Sequence, residues 1–274
     1  NFSRIVNSPD YPTLLAGDVK PLDFPVIARR DFDIDAVEYV NLFYFDRARD
    51  QAFLSELKSR ADGEGVRNVL IMCDALGAIG APDEAARKTT VENHHPCVEA
   101  ARFLGCHSIR VNAASDPGLP PEEQMKLAAD GLRSLCEFAN PLEINILVEN
   151  HGGLSSNAQW LSSLMKMVDH PRVGTLPDFG NFNISETESY DRYKGMEELM
   201  PYAKSVSAKS YDFDEQGDET TIDFRRIMKI VLDAGFRAFV GIEYEGTRLS
   251  EPDGIRATKA LLEKIREELK GDYA

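Results

Sequence analysis

At 274 residues the chain is long enough for two ordinary domains or one large α/β barrel, and a hydrophobic fraction of 43% supplies a real core. Its 46 acidic residues against 31 basic ones give a net charge of −15, which argues against a nucleic-acid binder built on clustered Lys and Arg. There is no run of about 18 apolar residues, so no membrane-spanning helix is expected.

Taken in chain order, strand-like runs alternate with helical periodicity, with turn residues between them. The opening is the weakest match: a strand near 2–6, an irregular loop over 7–18 and a helix over 22–30. Strands then follow over 34–41, 68–74, 107–112, 144–149, 173–178, 206–210 and 238–243. The helices between and after them are expected over 51–62, 83–104 (one long or two short), from 120 onward, 157–168, 190–203, 223–234 and 254–268. Pro120, Pro121, Glu122 and Glu123 suit the first turn of the helix they open. Seven βα units and an opening strand that is irregular or truncated make a single (β/α)8 TIM barrel over 1–274 the economical architecture. An open doubly wound sheet would carry a Gly-rich phosphate loop after its first strand, and none is present. The four cysteines Cys73, Cys97, Cys106 and Cys136 lack a C-x-x-C pair and read as buried reduced thiols.

The C-terminal ends of four strands collect Glu149, Asp178, Lys209 and Glu243. Alternate side chains of a strand share a face, so His151 accompanies Glu149, Glu245 accompanies Glu243, and Ser207 accompanies Lys209. Any one of these acids reads as a helix cap or a surface ion-pair partner. Three of them at the ends of three strands point to chemistry, because barrel enzymes work at that end. Converging carboxylates repel one another unless a cation or a proton holds them together, and a divalent metal is the simplest such cation. Asn112 and Arg110 share a face and could bind a substrate hydroxyl or phosphate. Phe43, Tyr44 and Phe45 could wall a sugar ring. His94, His95, His107 and His170 read as structural, and Trp160 with Leu161, Leu164, Met165 and Val168 as helix packing.

Val37-Glu38, Val148-Glu-Asn-His-Gly-Gly153, Pro177-Asp-Phe-Gly-Asn181, Ala208-Lys-Ser-Tyr-Asp212 and Ile242-Glu-Tyr-Glu-Gly246 together resemble the xylose isomerase-like barrels, which include ketose 3-epimerases and sugar-phosphate isomerases. In such epimerases a glutamate, an aspartate, a histidine and a second glutamate hold a manganese-like ion, and the glutamates shuttle a proton to and from a sugar carbon. The resemblance implies metal ligation by Glu149, Asp178 and Glu243 and proton transfer by Glu149 and Glu243. It implies substrate contacts for His151, Lys209, Asn112, Glu38 and Ser207.

Ser207 stands where the family histidine is expected, and a hydroxyl is a much weaker transition-metal ligand than imidazole. Three arrangements stay open: three carboxylates and water around Mn, Mg, Co or Zn; a nitrogen lent by His151; or Lys209 supplying the positive charge itself. The function implied is a sugar isomerase or epimerase working through an enediolate. A lyase or dehydratase with the same site and a non-catalytic carbohydrate-binding barrel are the alternatives. The expected partners are a small sugar and, as an option, further copies of the chain, with no nucleic acid and no membrane. With Asn as first residue, an export leader would already have been removed, so cytoplasm and export both stand.

Overall fold

The computed structural model describes residues 19–44 and 47–273. The strand expected near 2–6, the loop over 7–18 and Phe45 lie outside the described residues. Helix α1 (Phe24–Phe32) is followed by β1 (Ala36–Val40), α2 (Gln51–Gly63), β2 (Arg67–Met72), α3 (Glu84–Leu104), β3 (Ser108–Val111), α4 (Pro121–Ala139) and β4 (Asn145–Glu149). Then come α5 (Ala158–Val168), β5 (Val173–Leu176), α6 (Arg192–Leu199), β6 (Val206–Ser210), α7 (Phe224–Asp233), β7 (Val240–Tyr244) and α8 (Glu251–Leu269). The expected alternation recurs in order, with boundaries moved by a few residues.

Local chemistry sets most of those boundaries. Asp50, Asp83, Asp191, Asp223 and Ser250 each cap the helix that follows, their side chains accepting backbone N–H groups of its first turn. Pro121 occupies the first position of α4, where its missing donor costs nothing. α3 runs unbroken through Pro96, which settles one long helix over two short ones, and ends at Gly105 with φ of 83°. The helix expected over 190–203 stops at Leu199, because Pro201 cannot donate into the helical ladder; a 3₁₀ turn, Met200–Tyr202, takes its place.

The described residues pack as two compact units, 19–149 with 163–174 and 150–162 with 175–273. In the first, β1 to β4 pair in sequence as parallel neighbours, with β5 next in the strand order. All four residues of β3 are buried, as a parallel strand covered on both faces requires. Leu70, Ile71, Ile109, Val111, Ile146 and Val148 from the strands, with Leu57, Leu104, Leu132 and Leu135 from the helices, are at most 2% exposed. Tyr44 is buried here, its ring edge-on to Tyr39 at 6.2 Å, so it belongs to the core and does not wall a ligand site. In the second unit β6 and β7 pair in parallel, and Phe179, Leu199, Val206, Ala208, Ile227, Val231 and Tyr244 are buried. All four cysteines are buried and outside any disulfide.

His94 and His95 sit on α3 as structural residues. His95 stacks on Phe138 with ring centroids 3.5 Å apart, and His94 is buried with Nδ1 2.8 Å from the Thr90 carbonyl oxygen. Burial holds the His94 imidazole below its ordinary 6.5. A depressed folded-state value means that the unfolded chain takes up the proton first, so this contribution to stability is present above about pH 6.5 and is lost as pH falls through the folded value. Denaturant titrations at pH 7.5 and 5.5 are expected to show a smaller acid loss for His94→Gln than for the wild type; equal losses would exclude His94 as a contributor.

Candidate active site

In the second unit the loop after β5 places Asp178, which is fully buried. Its Oδ1 accepts the backbone N–H groups of Gly180 (2.7 Å) and Asn181 (2.8 Å), which hold the carboxylate in one orientation. The Asp178 backbone is itself clamped by Asn150, the residue directly after β4. Asn150 Oδ1 accepts the Asp178 N–H at 2.7 Å, and Nδ2 donates to the carbonyls of Asp178 (3.0 Å) and Asn181 (3.1 Å). Asn150 was not singled out from the sequence; its place beside Glu149 is the only sequence signal.

Lys209, on β6, is 2% exposed. Its Nζ lies 3.0 Å from Asn181 Oδ1, 3.3 Å from Glu243 Oε1, 3.4 Å from Glu245 Oε2 and 4.0 Å from Asp178 Oδ2. The register of β6 on β7, Lys209 opposite Glu243, produces this nest. Ser207 donates its hydroxyl to Glu243 Oε2 at 3.0 Å. Gly180 is required by the same crowding: a Cβ there would lie 2.6 Å from Tyr211 Oη and 3.0 Å from Lys209 Cδ. Burial, helped by the Asp178 and Glu245 charges and opposed by Lys209, pushes the Tyr211 phenol up to about 12, so it stays protonated at neutral pH. One ammonium faces three carboxylates in this nest.

In the first unit Glu149, the last residue of β4, is 2% exposed and pairs with Arg110 of β3, Nε to Oε2 at 3.0 Å. Arg110 also donates to Asp74 Oδ1 at 2.6 Å and to Asn112 Oδ1 at 3.3 Å, and Asn112 Nδ2 donates to Asp74 Oδ1 at 2.9 Å. One guanidinium thus stands between two carboxylates.

In the second unit Asp178 and Glu243 each offer a carboxylate oxygen, the two within 4.8 Å of each other, so they could share a metal ion. The donor set is all oxygen and suits a hard divalent cation. Glu38 is half-buried in β1 beside a register shift against β2. β4 ends at Glu149, and the expected shared face does not extend to His151. The backbone N–H groups of His151 and Gly152 go to the hydroxyls of Ser155 and Ser156, turning the chain, and the His151 side chain is exposed.

Removing the buried ammonium takes a counter-charge from three carboxylates, so Lys209→Met is expected to cost about 3–5 kcal/mol. Denaturant melts with and without Mn²⁺ check this: the ion should stabilise the variant more than the wild type, and equal shifts would contradict the charge argument.

The sequence matches the family model of xylose isomerase-like TIM barrels over residues 28–266. A C-glycoside deglycosidase alpha subunit from Arthrobacter globiformis is 37% identical over 65 residues, a match covering 23% of this chain and only 18% of that protein. Among solved structures, a 3-keto-D-glucoside 4-epimerase from E. coli superposes with a TM-score of 0.73 at 16% identity, over 89% of this chain and 94% of that one. A xylose isomerase-like TIM-barrel protein from Mycobacterium smegmatis, in complex with magnesium, gives 0.68 at 17% identity over 94% and 91%. Other similar folds include ketose 3-epimerases and a barrel with bound zinc. These likenesses show the TIM-barrel fold.

Proposed function

Because the chain belongs to the xylose isomerase-like TIM barrel family, we propose that it is a divalent-metal-assisted isomerase or epimerase of a sugar or sugar derivative. The observation that carries this reading is the pair of carboxylates Asp178 and Glu243 in the second unit, with oxygens within 4.8 Å of each other. Glu149, Asp178 and Glu243 would hold the ion, which when bound supplies Lewis-acid polarisation of a carbonyl and its neighbouring hydroxyl.

The side chains then divide the work. Glu149 or Glu243 takes the proton from the carbon that bears this hydroxyl, next to the carbonyl, leaving an enediolate, and the other returns a proton to it. Arg110, 3.0 Å from Glu149, holds that carboxylate in position. Ser207 and Lys209 orient Glu243 from either side, and the Lys209 ammonium stabilises charge developing on substrate oxygens. The substrate contacts of His151, Asn112 and Glu38 belong to this proposal.

Incubating the wild type with candidate ketoses and Mn²⁺ in deuterated water tests it. One deuterium is expected at the epimerised carbon, and no exchange across a broad ketose panel would sink the reading. The deglycosidase match favours keeping a lyase as the second reading, since expulsion of a leaving group after the same proton abstraction needs no new base. Product analysis separates them: isomers against an unsaturated product and a released group.

A further inference from the structure

The arrangement that fixes Asp178 occurs twice in this chain. In the second unit Asn150, directly after β4, clamps the backbone of Asp178, two residues beyond β5, and the Asp178 carboxylate faces the buried Lys209, the penultimate residue of β6. In the first unit Asn41, directly after β1, clamps the backbone of Asp74, two residues beyond β2. The Asp74 carboxylate faces the buried Arg110, the penultimate residue of β3. Asn41 Oδ1 accepts the Asp74 N–H at 2.9 Å and its Nδ2 donates to the Asp74 carbonyl at 3.0 Å, against 2.7 and 3.0 Å for Asn150 on Asp178. Both asparagines are buried, at 1% and 0% exposure.

Burying an asparagine side chain is costly unless its hydrogen bonds are met, and here both clamps spend it on immobilising one aspartate. The residue after Asp74 adds a second sign of constraint: Ala75 has φ of 57°, a left-handed conformation that a non-glycine residue adopts at a cost. The Asp74 carboxylate remains 27% exposed although Arg110 and Asn112 hold its Oδ1. Arg110 in turn contacts Glu149 at 3.0 Å, so Asp74 stands one guanidinium away from the acid assigned to proton transfer.

We propose that Asp74 is a substrate-binding residue, accepting hydrogen bonds from hydroxyl groups of a polyhydroxylated, unphosphorylated substrate away from its reacting carbon. The proposal rests on the sugar isomerase reading and names the substrate class for that same site. A rigid carboxylate selects hydroxyl donors and repels a phosphate placed at the same point. Hydrogen bonds to charged groups are stronger than neutral ones, so losing one such contact should weaken binding about tenfold or more.

The test compares wild type, Asp74→Ala and Asp74→Asn on a ketose that the wild type exchanges in deuterated water, together with single-deoxy analogues of that ketose. Melting curves confirm that the variants fold; Asp74→Asn keeps the backbone clamp and serves if Asp74→Ala does not. The expected result is a KM raised about tenfold or more with a much smaller change in kcat, and one deoxy analogue for which wild type and variant bind alike. An unchanged KM, or a loss of kcat of the same size on every analogue, would overturn the assignment and leave Asp74 as a support for Arg110. If the wild type exchanges no sugar at all, the isomerase reading falls first and this assignment with it, which a change confined to the variants does not do.

Discussion

Replacing Glu149 by Gln is expected to reduce solvent-deuterium incorporation into the substrate by about 10²–10⁴-fold, the range typical of a lost general base. The substitution is nearly isosteric, so the side chain stays between β4 and Arg110 while losing the charge that accepts a proton. Arg110 keeps its 2.6 Å contact with Asp74, which limits the structural cost of the change. Measuring exchange separately from net product formation isolates this step from binding and release. Exchange at the wild-type rate would remove Glu149 from the proton transfer and, if Glu243→Gln abolished it, would leave a one-base mechanism at Glu243.

The second large effect is expected at Asp178. Asp178→Asn preserves an oxygen for the Gly180 and Asn181 amides, 2.7 and 2.8 Å away, but removes the negative charge of one proposed ligand. Divalent-metal affinity should fall by at least about 100-fold, since changes even to groups that merely support a ligand cost 10–100-fold. Metal analysis of both proteins purified without chelator, followed by Mn²⁺ titration calorimetry, reads this directly. Stoichiometric metal in the variant would take Asp178 out of the ligand set. A metal-free wild type under replete conditions would shift the reading toward the site in which Lys209 is the cation, as its 3.3 and 3.4 Å contacts with Glu243 and Glu245 allow.

The Lys209→Met prediction complements these two. If the ion and the ammonium share one excess of negative charge, the loss of the ammonium should make stability more dependent on the ion. Ser207 fits this picture: its hydroxyl donates to Glu243 at 3.0 Å and orients the carboxylate.

What the sequence alone determined is what short-range pattern can encode. Hydrophobic runs alternating with capped helical segments specified the βα order, since caps such as Asp50 and Asp83 act on residues two or three positions away. The same pattern put Glu149, Asp178 and Glu243 at strand ends, and strand parity put Ser207 and Lys209 on one face. It did not reveal that His151 leaves the face of Glu149, because the Ser155 and Ser156 hydroxyls that turn the chain there lie beyond the strand-like run. Tertiary structure alone decided the rest. The Asn150 clamp on Asp178, the Asn41 clamp on Asp74 and the Arg110 pair with Glu149 join residues about thirty or more positions apart, with nothing local to announce them. Burial then made those contacts matter, because an asparagine, an arginine or a lysine removed from water must find its partners inside the fold or destabilise it.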